Sequence, residues 1–164
     1  VGPMNNEPTA QKMDRHLEDA LQKGAEIVVG GSRDGGRPTS LYYQPTVVSG
    51  VGLDTLINRD ETFGPIVPLI QVADDDAALE AANDSHLGLQ AAVYTKSLRR
   101  AFKFLDNLRV GNVVVNDSTD YWEAHEPFGG ASGTQTGWGR IGGRYTMLDM
   151  TDLKTVVLDV GGLD

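Results

Sequence analysis

The sequence contains no cysteine among its 164 residues. That absence excludes disulfide bonds, cysteine-ligated metals and a cysteine nucleophile within these residues. The three histidines, His16, His86 and His125, lie far apart and lack the clustered spacing of metal ligands. We therefore expect no metal site in this chain.

Long hydrophobic runs and basic clusters are also missing. No apolar stretch approaches the roughly 18 residues that a membrane span needs, and no signal peptide is visible. The net charge of -9 opposes binding to a phosphate backbone. We expect a cytoplasmic protein that binds neither membranes nor nucleic acid. Because the chain starts with Val1 rather than Met, we also expect it to be a piece of a longer protein.

The composition, with 40% hydrophobic and 23% charged residues, is typical of a globular protein with a packed core. Helical and extended patterns alternate over the first 115 residues, which predicts an α/β fold with mostly parallel strands. The predicted helices are 8–23, 77–83 after the acidic cap Asp74, and one beginning after Ser97. The predicted strands are 25–29, which we expect to be buried, and 41–48, 66–72, 89–94 and 110–115.

Two later segments depart from this alternation. Residues 116–144 are rich in glycine and show no period, although their aromatic side chains argue against disorder. Residues 153–160 are typical of a strand, which could pair with another chain or form an edge of its own sheet.

The segment Gly137–Gly142 matches the G-x-G-x-x-G pattern of dinucleotide-binding turns. That pattern carries weight only between a strand and a helix of a βαβ unit. Here it follows an irregular stretch, with too little chain after it for a nucleotide-binding half. We interpret these glycines as serving tight backbone turns.

Two other motifs combine aromatic rings with turn residues. In the sequence Glu61-Thr62-Phe63-Gly64-Pro65, a carboxylate and a ring two positions apart could meet a ribose diol and a flat heterocycle. On physical grounds alone, a surface glutamate beside a buried phenylalanine is the commoner arrangement. Residues 127–130, Pro-Phe-Gly-Gly, follow Tyr121 and Trp122, so three rings could line a pocket or could anchor their own loop.

The order and spacing of these motifs resemble the aldehyde dehydrogenase family over essentially the whole chain. Residues 61–65 match its E-x-F-G-P motif, and residues 43–47 are similar to its F-x-x-P-T-V/I stretch. The Pro-Phe-Gly-Gly motif and the glycine-rich run that follows it come in the family's order.

The resemblance implies an α/β, three-layer catalytic domain with a mostly parallel sheet. Residues 1–150 would be the C-terminal part of that domain, and residues 151–164 an oligomerisation strand and tail. Residues 151–160 would then join subunits into a homo-oligomer. The cofactor-binding domain would precede this chain.

The resemblance also implies roles for individual residues. Glu61 would hydrogen-bond the nicotinamide ribose of NAD or NADP, and Phe63 would pack near the nicotinamide ring. Phe128, with Tyr121 and Trp122, would line the pocket for a small-molecule aldehyde. The family oxidises aldehydes with a cysteine nucleophile and a general-base glutamate, and neither catalytic group lies in this chain.

Three functions stay open on the sequence. The first is a fragment of an NAD(P)-dependent aldehyde dehydrogenase, inactive by itself because it lacks the cysteine. The second is a standalone, non-catalytic interaction module or pseudoenzyme with the same half-fold. The third is a related reductase that acts on an acyl phosphate or acyl-CoA.

Overall fold

The computed structural model describes residues 1–162 and divides the chain into two compact units. Unit 1 comprises Val1–Ser85, and unit 2 begins at His86. Each unit combines helices with a small sheet, as the alternating pattern predicts.

Unit 1 begins with a long helix that packs on a three-stranded sheet. Its first helix starts where the Asn6 side chain accepts a hydrogen bond from the Thr9 amide at 2.9 Å. That helix ends before Gly24, whose φ of +91° suits a residue without a Cβ. The elements are α1 (Glu7–Gln22), β1 (Glu26–Val29), β2 (Thr46–Ser49), α2 (Leu56–Arg59), β3 (Ile66–Leu69) and α3 (Asp75–Asn83).

The sheet of unit 1 has the order β1-β2-β3, with an antiparallel pair followed by a parallel pair. Its inner face carries Thr46, Val48 and Ile66, and α1 contributes Met13 and Leu17 to the same core. The expectation of a buried strand at residues 25–29 was wrong, since all four residues of β1 are exposed. The reason is its position at the sheet edge, where it pairs on one side only.

The short helix α2 has no counterpart in the sequence prediction. Its N-cap residue, Thr55, makes no side-chain capping bond. Instead, the carboxylate of Asp19 on α1 accepts a hydrogen bond from the Leu56 amide at 2.7 Å. That bond holds the pKa of Asp19 below its usual value. A cap supplied from 37 positions away leaves no local signal.

Unit 2 has two parallel strands, β4 (Gln90–Val93) and β5 (Asn112–Val115). They are connected by α4 (Leu98–Asn107), which starts where the Ser97 hydroxyl accepts a hydrogen bond from the Arg100 amide at 3.3 Å. A short helix, α5 (Arg144–Asp149), follows the glycine-rich segment and was not predicted. Two of the three strand pairings in the two units are parallel, in agreement with a mostly parallel sheet.

The last described segment is exposed, and the strand expected at residues 153–160 is not formed within this chain. Residues 151–160 pair with no strand of the described chain. Leu153 is 96% and Val157 87% exposed. The alternative that this segment forms an edge of the chain's own sheet was therefore wrong, because none of its backbone joins a ladder.

Two kinds of feature are absent from residues 1–162. No helix there is long and apolar enough to cross a membrane. No group of three or more His, Asp or Glu side chains in this range is placed to hold a metal ion.

Candidate functional site

The loop Glu61–Pro65 of unit 1 presents an aromatic ring to solvent. Phe63 has a φ of +53° and is 75% exposed. A left-handed backbone is uncommon for a bulky residue, and such strained positions cluster at functional sites. Glu61 is also exposed. Thr62, which lies between these two residues, and Gly64, which follows Phe63, are half-buried. The loop thus directs a carboxylate and a ring away from the core.

Three side chains of helix α1 contact this loop and hold it in place. Lys12 Nζ donates a hydrogen bond to the Glu61 carbonyl at 2.6 Å. His16 Nδ1 lies 3.0 Å from the Thr62 hydroxyl. A Cβ at Gly64 would collide with the sulfur of Met13, so only glycine allows this close approach.

His16 is buried at 2% exposure and lies beneath the loop. Burial lowers its pKa, because the charged imidazolium loses its hydration. Among its charged neighbours, Asp60 opposes that shift, with a carboxylate oxygen 4.0 Å from Nε2, while Lys12 and Arg15 reinforce it and Asp19 opposes it weakly. The neutral imidazole is therefore the favoured form beside Thr62.

The chemical capacity of the loop follows from these positions. An exposed carboxylate can accept two hydrogen bonds from a diol. An exposed ring held in one backbone conformation can pack against a flat heterocycle at little further cost in entropy. Exposed groups of these two kinds are the ones that a sugar diol and a flat heterocycle could contact.

In unit 2, the three aromatic residues singled out in the sequence come together at one cavity. Tyr121, Trp122 and Phe128 line a cavity of about 300 Å³ beside strand β5. The rings of Trp122 and Phe128 meet edge to face, with centroids 6.5 Å apart and an interplanar angle of 71°. Trp122 is 50% and Tyr121 45% exposed. These rings form one wall of an open cavity whose lining also includes Gln90, Asn112 and Glu126.

Backbone hydrogen bonds fix Phe128 in this wall. Its amide and carbonyl pair with Ile141 at 2.8 and 2.9 Å. The side chain of Asn112 donates to the Pro127 carbonyl at 3.3 Å and accepts from the Gly129 amide at 3.5 Å. The residues before and after Phe128 are thus both tied to β5.

Glu126 lines the same cavity and was not singled out in the sequence. Its negative charge is the main reason why the pKa of the Tyr121 phenol is raised. No sequence pattern marks it, because residues 124–126 form a turn and a bend, where the alternation of side chains along a strand does not apply.

The G-x-G-x-x-G segment lies in an irregular loop and does not directly follow a strand, since residues 116–136 separate it from β5. Its glycines allow close approach, since a Cβ at Gly142 would collide with the Glu126 carbonyl and one at Gly139 with the Asp149 carboxylate. These contacts agree with the interpretation that the glycines serve backbone turns.

The sequence matches known proteins along almost its full length. A model of the aldehyde dehydrogenase family matches residues 1–156. The mitochondrial succinate-semialdehyde dehydrogenase of Oryza sativa is 38% identical over 157 residues, which are 96% of this chain and 29% of that protein. A 3-sulfolactaldehyde dehydrogenase of Priestia aryabhattai is 34% identical over 98% of this chain and 32% of its own length. The chain thus spans about a third of the length of the curated relatives it matches.

Solved structures agree with the sequence matches. An aldehyde dehydrogenase of Mycobacterium tuberculosis complexed with NAD+ superposes with a TM-score of 0.89 at 29% identity, covering 98% of this chain and 32% of that one. Aldehyde dehydrogenase 21 of Physcomitrella patens, in complex with succinate, gives a TM-score of 0.86 at 34% identity, covering 99% and 33%. The chain belongs to the aldehyde dehydrogenase family.

Proposed function

We propose that these residues are the C-terminal part of the catalytic domain of an NAD(P)-dependent aldehyde dehydrogenase, which oxidises an aldehyde to a carboxylic acid. The observation that carries the proposal is the loop Glu61–Pro65. It holds an aromatic ring exposed at a strained φ, and three contacts with α1 stabilise that conformation. A ring exposed at such a cost in backbone energy is best explained by a ligand that packs on it.

Residues from both units would contribute to that reaction. When bound, NAD(P)+ supplies the acceptor for a hydride. Glu61 would accept hydrogen bonds from the ribose hydroxyls, and the Phe63 ring would limit where the nicotinamide can lie. Tyr121, Trp122 and Phe128 would hold the aldehyde and exclude water from it. Because these residues include no cysteine, the thiol nucleophile and its general base would come from residues outside this sequence.

The substitution Phe63→Gly in the complete enzyme separates this role from a structural one. Glycine adopts positive φ without strain, so we expect the free energy of unfolding to rise by about 1 kcal/mol. Turnover should nevertheless fall roughly tenfold or more, because the nicotinamide loses its packing surface and orientation matters steeply for transfer. Urea unfolding and steady-state kinetics measure the two effects.

Phe102→Ala is the matched control, since Phe102 is another aromatic residue more than half exposed, on helix α4. We expect its turnover to stay within about twofold of the wild type. Unchanged turnover in Phe63→Gly would contradict the cofactor role, whatever its stability.

The intact mass of the native protein decides between an enzyme fragment and a standalone module. A native species much heavier than 17.6 kDa supports the enzyme. A native species of that mass would instead favour an interaction module. An assay of the heavier species with phosphate or CoA as acceptor then separates an oxidising dehydrogenase from an acyl reductase.

We further propose that the protein works in the cytoplasm as a homo-oligomer joined through residues 151–160. The exposed apolar side chains and unpaired backbone of this segment support pairing across subunits. The location needs its own measurement, because the Oryza relative is named as mitochondrial. Sedimentation equilibrium tests the oligomer, and cell fractionation tests the location.

A further inference from the structure

A hydrogen bond between His16 and Thr62 joins helix α1 to the middle of the Glu61–Pro65 loop. His16 Nδ1 lies 3.0 Å from the Thr62 hydroxyl oxygen, and the imidazole is only 2% exposed. Thr62 stands between Glu61 and Phe63, the two residues proposed to contact the cofactor. A change in this one bond therefore acts on the backbone of both neighbours at once.

The surroundings of the imidazole determine the direction of this bond. A neutral imidazole carries one N–H, and the carboxylate of Asp60 lies 4.0 Å from Nε2. That negative charge favours the tautomer with its hydrogen on Nε2, so Nδ1 is left as an acceptor. The Thr62 hydroxyl therefore donates to His16 in the neutral form.

Protonation of His16 reverses that arrangement. The imidazolium has a hydrogen on each nitrogen and no acceptor, so the Thr62 hydroxyl can no longer donate to it. Its new charge is attracted by Asp60, which directly precedes Glu61. It is also repelled by Lys12, which lies four residues earlier on α1 and donates to the Glu61 carbonyl at 2.6 Å. A single proton thus disturbs both hydrogen bonds between α1 and the loop.

Charged groups act on His16 from both segments packed against it. Asp60 directly precedes the loop, whereas Lys12, Arg15 and Asp19 belong to α1. The two carboxylates favour the charged imidazolium, and the two cations oppose it. Burial has the largest influence and lowers the pKa of His16, so the neutral form holds the loop at neutral pH.

We propose that His16 is a positioning residue that couples cofactor binding to its own state of protonation. Its neutral imidazole holds Glu61 and Phe63 where they meet the nicotinamide ribose and ring, and its protonation loosens the loop and weakens NAD(P) binding. The inference rests on the proposed function, because it concerns the regulation of the same cofactor loop. The effect is reciprocal, so a bound cofactor favours the neutral imidazole.

Titration of the complete enzyme with NADH and NADPH, followed by nucleotide fluorescence, tests this coupling. We expect the wild-type dissociation constant to rise about tenfold between roughly pH 8 and roughly pH 5.5, as His16 takes up its proton. Every variant below keeps Glu61 and Phe63, so differences between the pH profiles belong to the substituted residue.

His16→Gln separates positioning from protonation. The glutamine amide oxygen can accept from the Thr62 hydroxyl but takes up no proton, so its affinity should stay within about threefold of the wild type at the alkaline end and remain level on acidification. Thr62→Val keeps the imidazole but removes its partner, and its affinity should already be about tenfold weaker at the alkaline end. His86→Gln removes an exposed imidazole from unit 2 and, as the matched control, should keep the wild-type profile.

The outcomes separate the two proposals. A wild-type affinity that stays level across this range overturns the inference, as does a His16→Gln enzyme that loses affinity on acidification as the wild type does. In both cases the proposed function stands, because the nucleotides still bind. Failure of the wild type to bind either nucleotide at any pH counts against the proposed function and removes the inference with it. If His16→Gln does not fold, equal affinities of Thr62→Val and His86→Gln at the alkaline end overturn the inference.

Hydrogen exchange of the loop gives a second readout that needs no nucleotide. Mass spectrometry of peptides spanning residues 60–66 reports how often the loop opens. After correction for the intrinsic effect of pH, exchange should speed up on acidification in the wild type and stay constant in His16→Gln. Peptides from helix α4, which contains no histidine, are the internal control and should not change. Equal acceleration of the loop in both proteins would show that His16 does not control it.

Discussion

The two units of this chain hold their candidate sites in different ways. In unit 1, helix α1 covers a sheet, and side chains such as Met13 and Val48 are fully buried between them. In unit 2, Ala101, which is 4% exposed, is the sole buried apolar side chain among the described residues. Its irregular segment is held instead by backbone hydrogen bonds and by close approaches of glycine.

The difference shows two routes to a fixed site. The Glu61–Pro65 loop takes its rigidity from a hydrophobic core directly below it, where each buried side chain contributes about 1.5–3 kcal/mol. The cavity around Phe128 depends on hydrogen bonds, each of which contributes a net 0.5–1.5 kcal/mol. Removing a buried side chain from unit 1 should therefore reduce the free energy of unfolding by more than disturbing the hydrogen-bonded segment of unit 2.

The largest effect is expected from Met13→Ala in unit 1. Met13 is fully buried and lies beneath Gly64, so its truncation leaves a cavity under the loop. We expect a loss of about 2–5 kcal/mol in the free energy of unfolding. Urea titration measures it, and Phe102→Ala in unit 2 should lose less than about 1 kcal/mol because Phe102 is more than half exposed. Similar losses in the two variants would remove the contrast between the units.

An intermediate effect is expected from Gly111→Ala in unit 2. A Cβ at Gly111 would collide with the carbonyl of Gly129, next to Phe128. The backbone there must move, at a cost of about 1–3 kcal/mol, and the Trp122–Phe128 ring contact should change with it. Near-ultraviolet circular dichroism detects that change. Gly35→Ala is the control, since nothing lies within 4 Å of its Cβ and it should leave the spectrum unaltered.

The smallest effect is expected from pH at His16. Burial lowers the folded-state pKa of this group below 6.5, so the unfolded chain takes up its proton first as the pH falls. The stability of unit 1 should therefore decrease from about pH 7 downwards, through the window between the two pKa values. His16→Gln has no imidazole to titrate and should lose that part of the pH dependence. A wild-type profile that instead rises on acidification would show that the Asp60 carboxylate dominates.

The helices were predictable where local signals exist. Asn6, Asp74 and Ser97 all cap the helices that follow them, and strand β5 lies inside the predicted 110–115. The helix α2 was missed because its cap comes from Asp19 across the fold. The helix α5 was missed because it is only six residues long and follows a glycine-rich stretch.

The sequence indicated candidate site residues, but it could not indicate which other residues hold them in place. The resemblance pointed to Glu61 and Phe63, and these side chains are exposed as a ligand contact requires. Their anchors, Lys12 and His16, lie 49 and 46 positions away from their partners, and no pattern links them. Glu126 shares a cavity with Phe128 for reasons of loop geometry, which only the structure displays.

The three contacts between α1 and the loop have a consequence for anyone who transplants the motif. The letters Glu-Thr-Phe-Gly-Pro specify half of a two-segment module, and the other half is one face of a helix. Grafted into a scaffold without Lys12, Met13 and His16 beneath it, the same five residues should relax and give up the positive φ of Phe63. A sequence search for this site gains discrimination when it asks for both segments together.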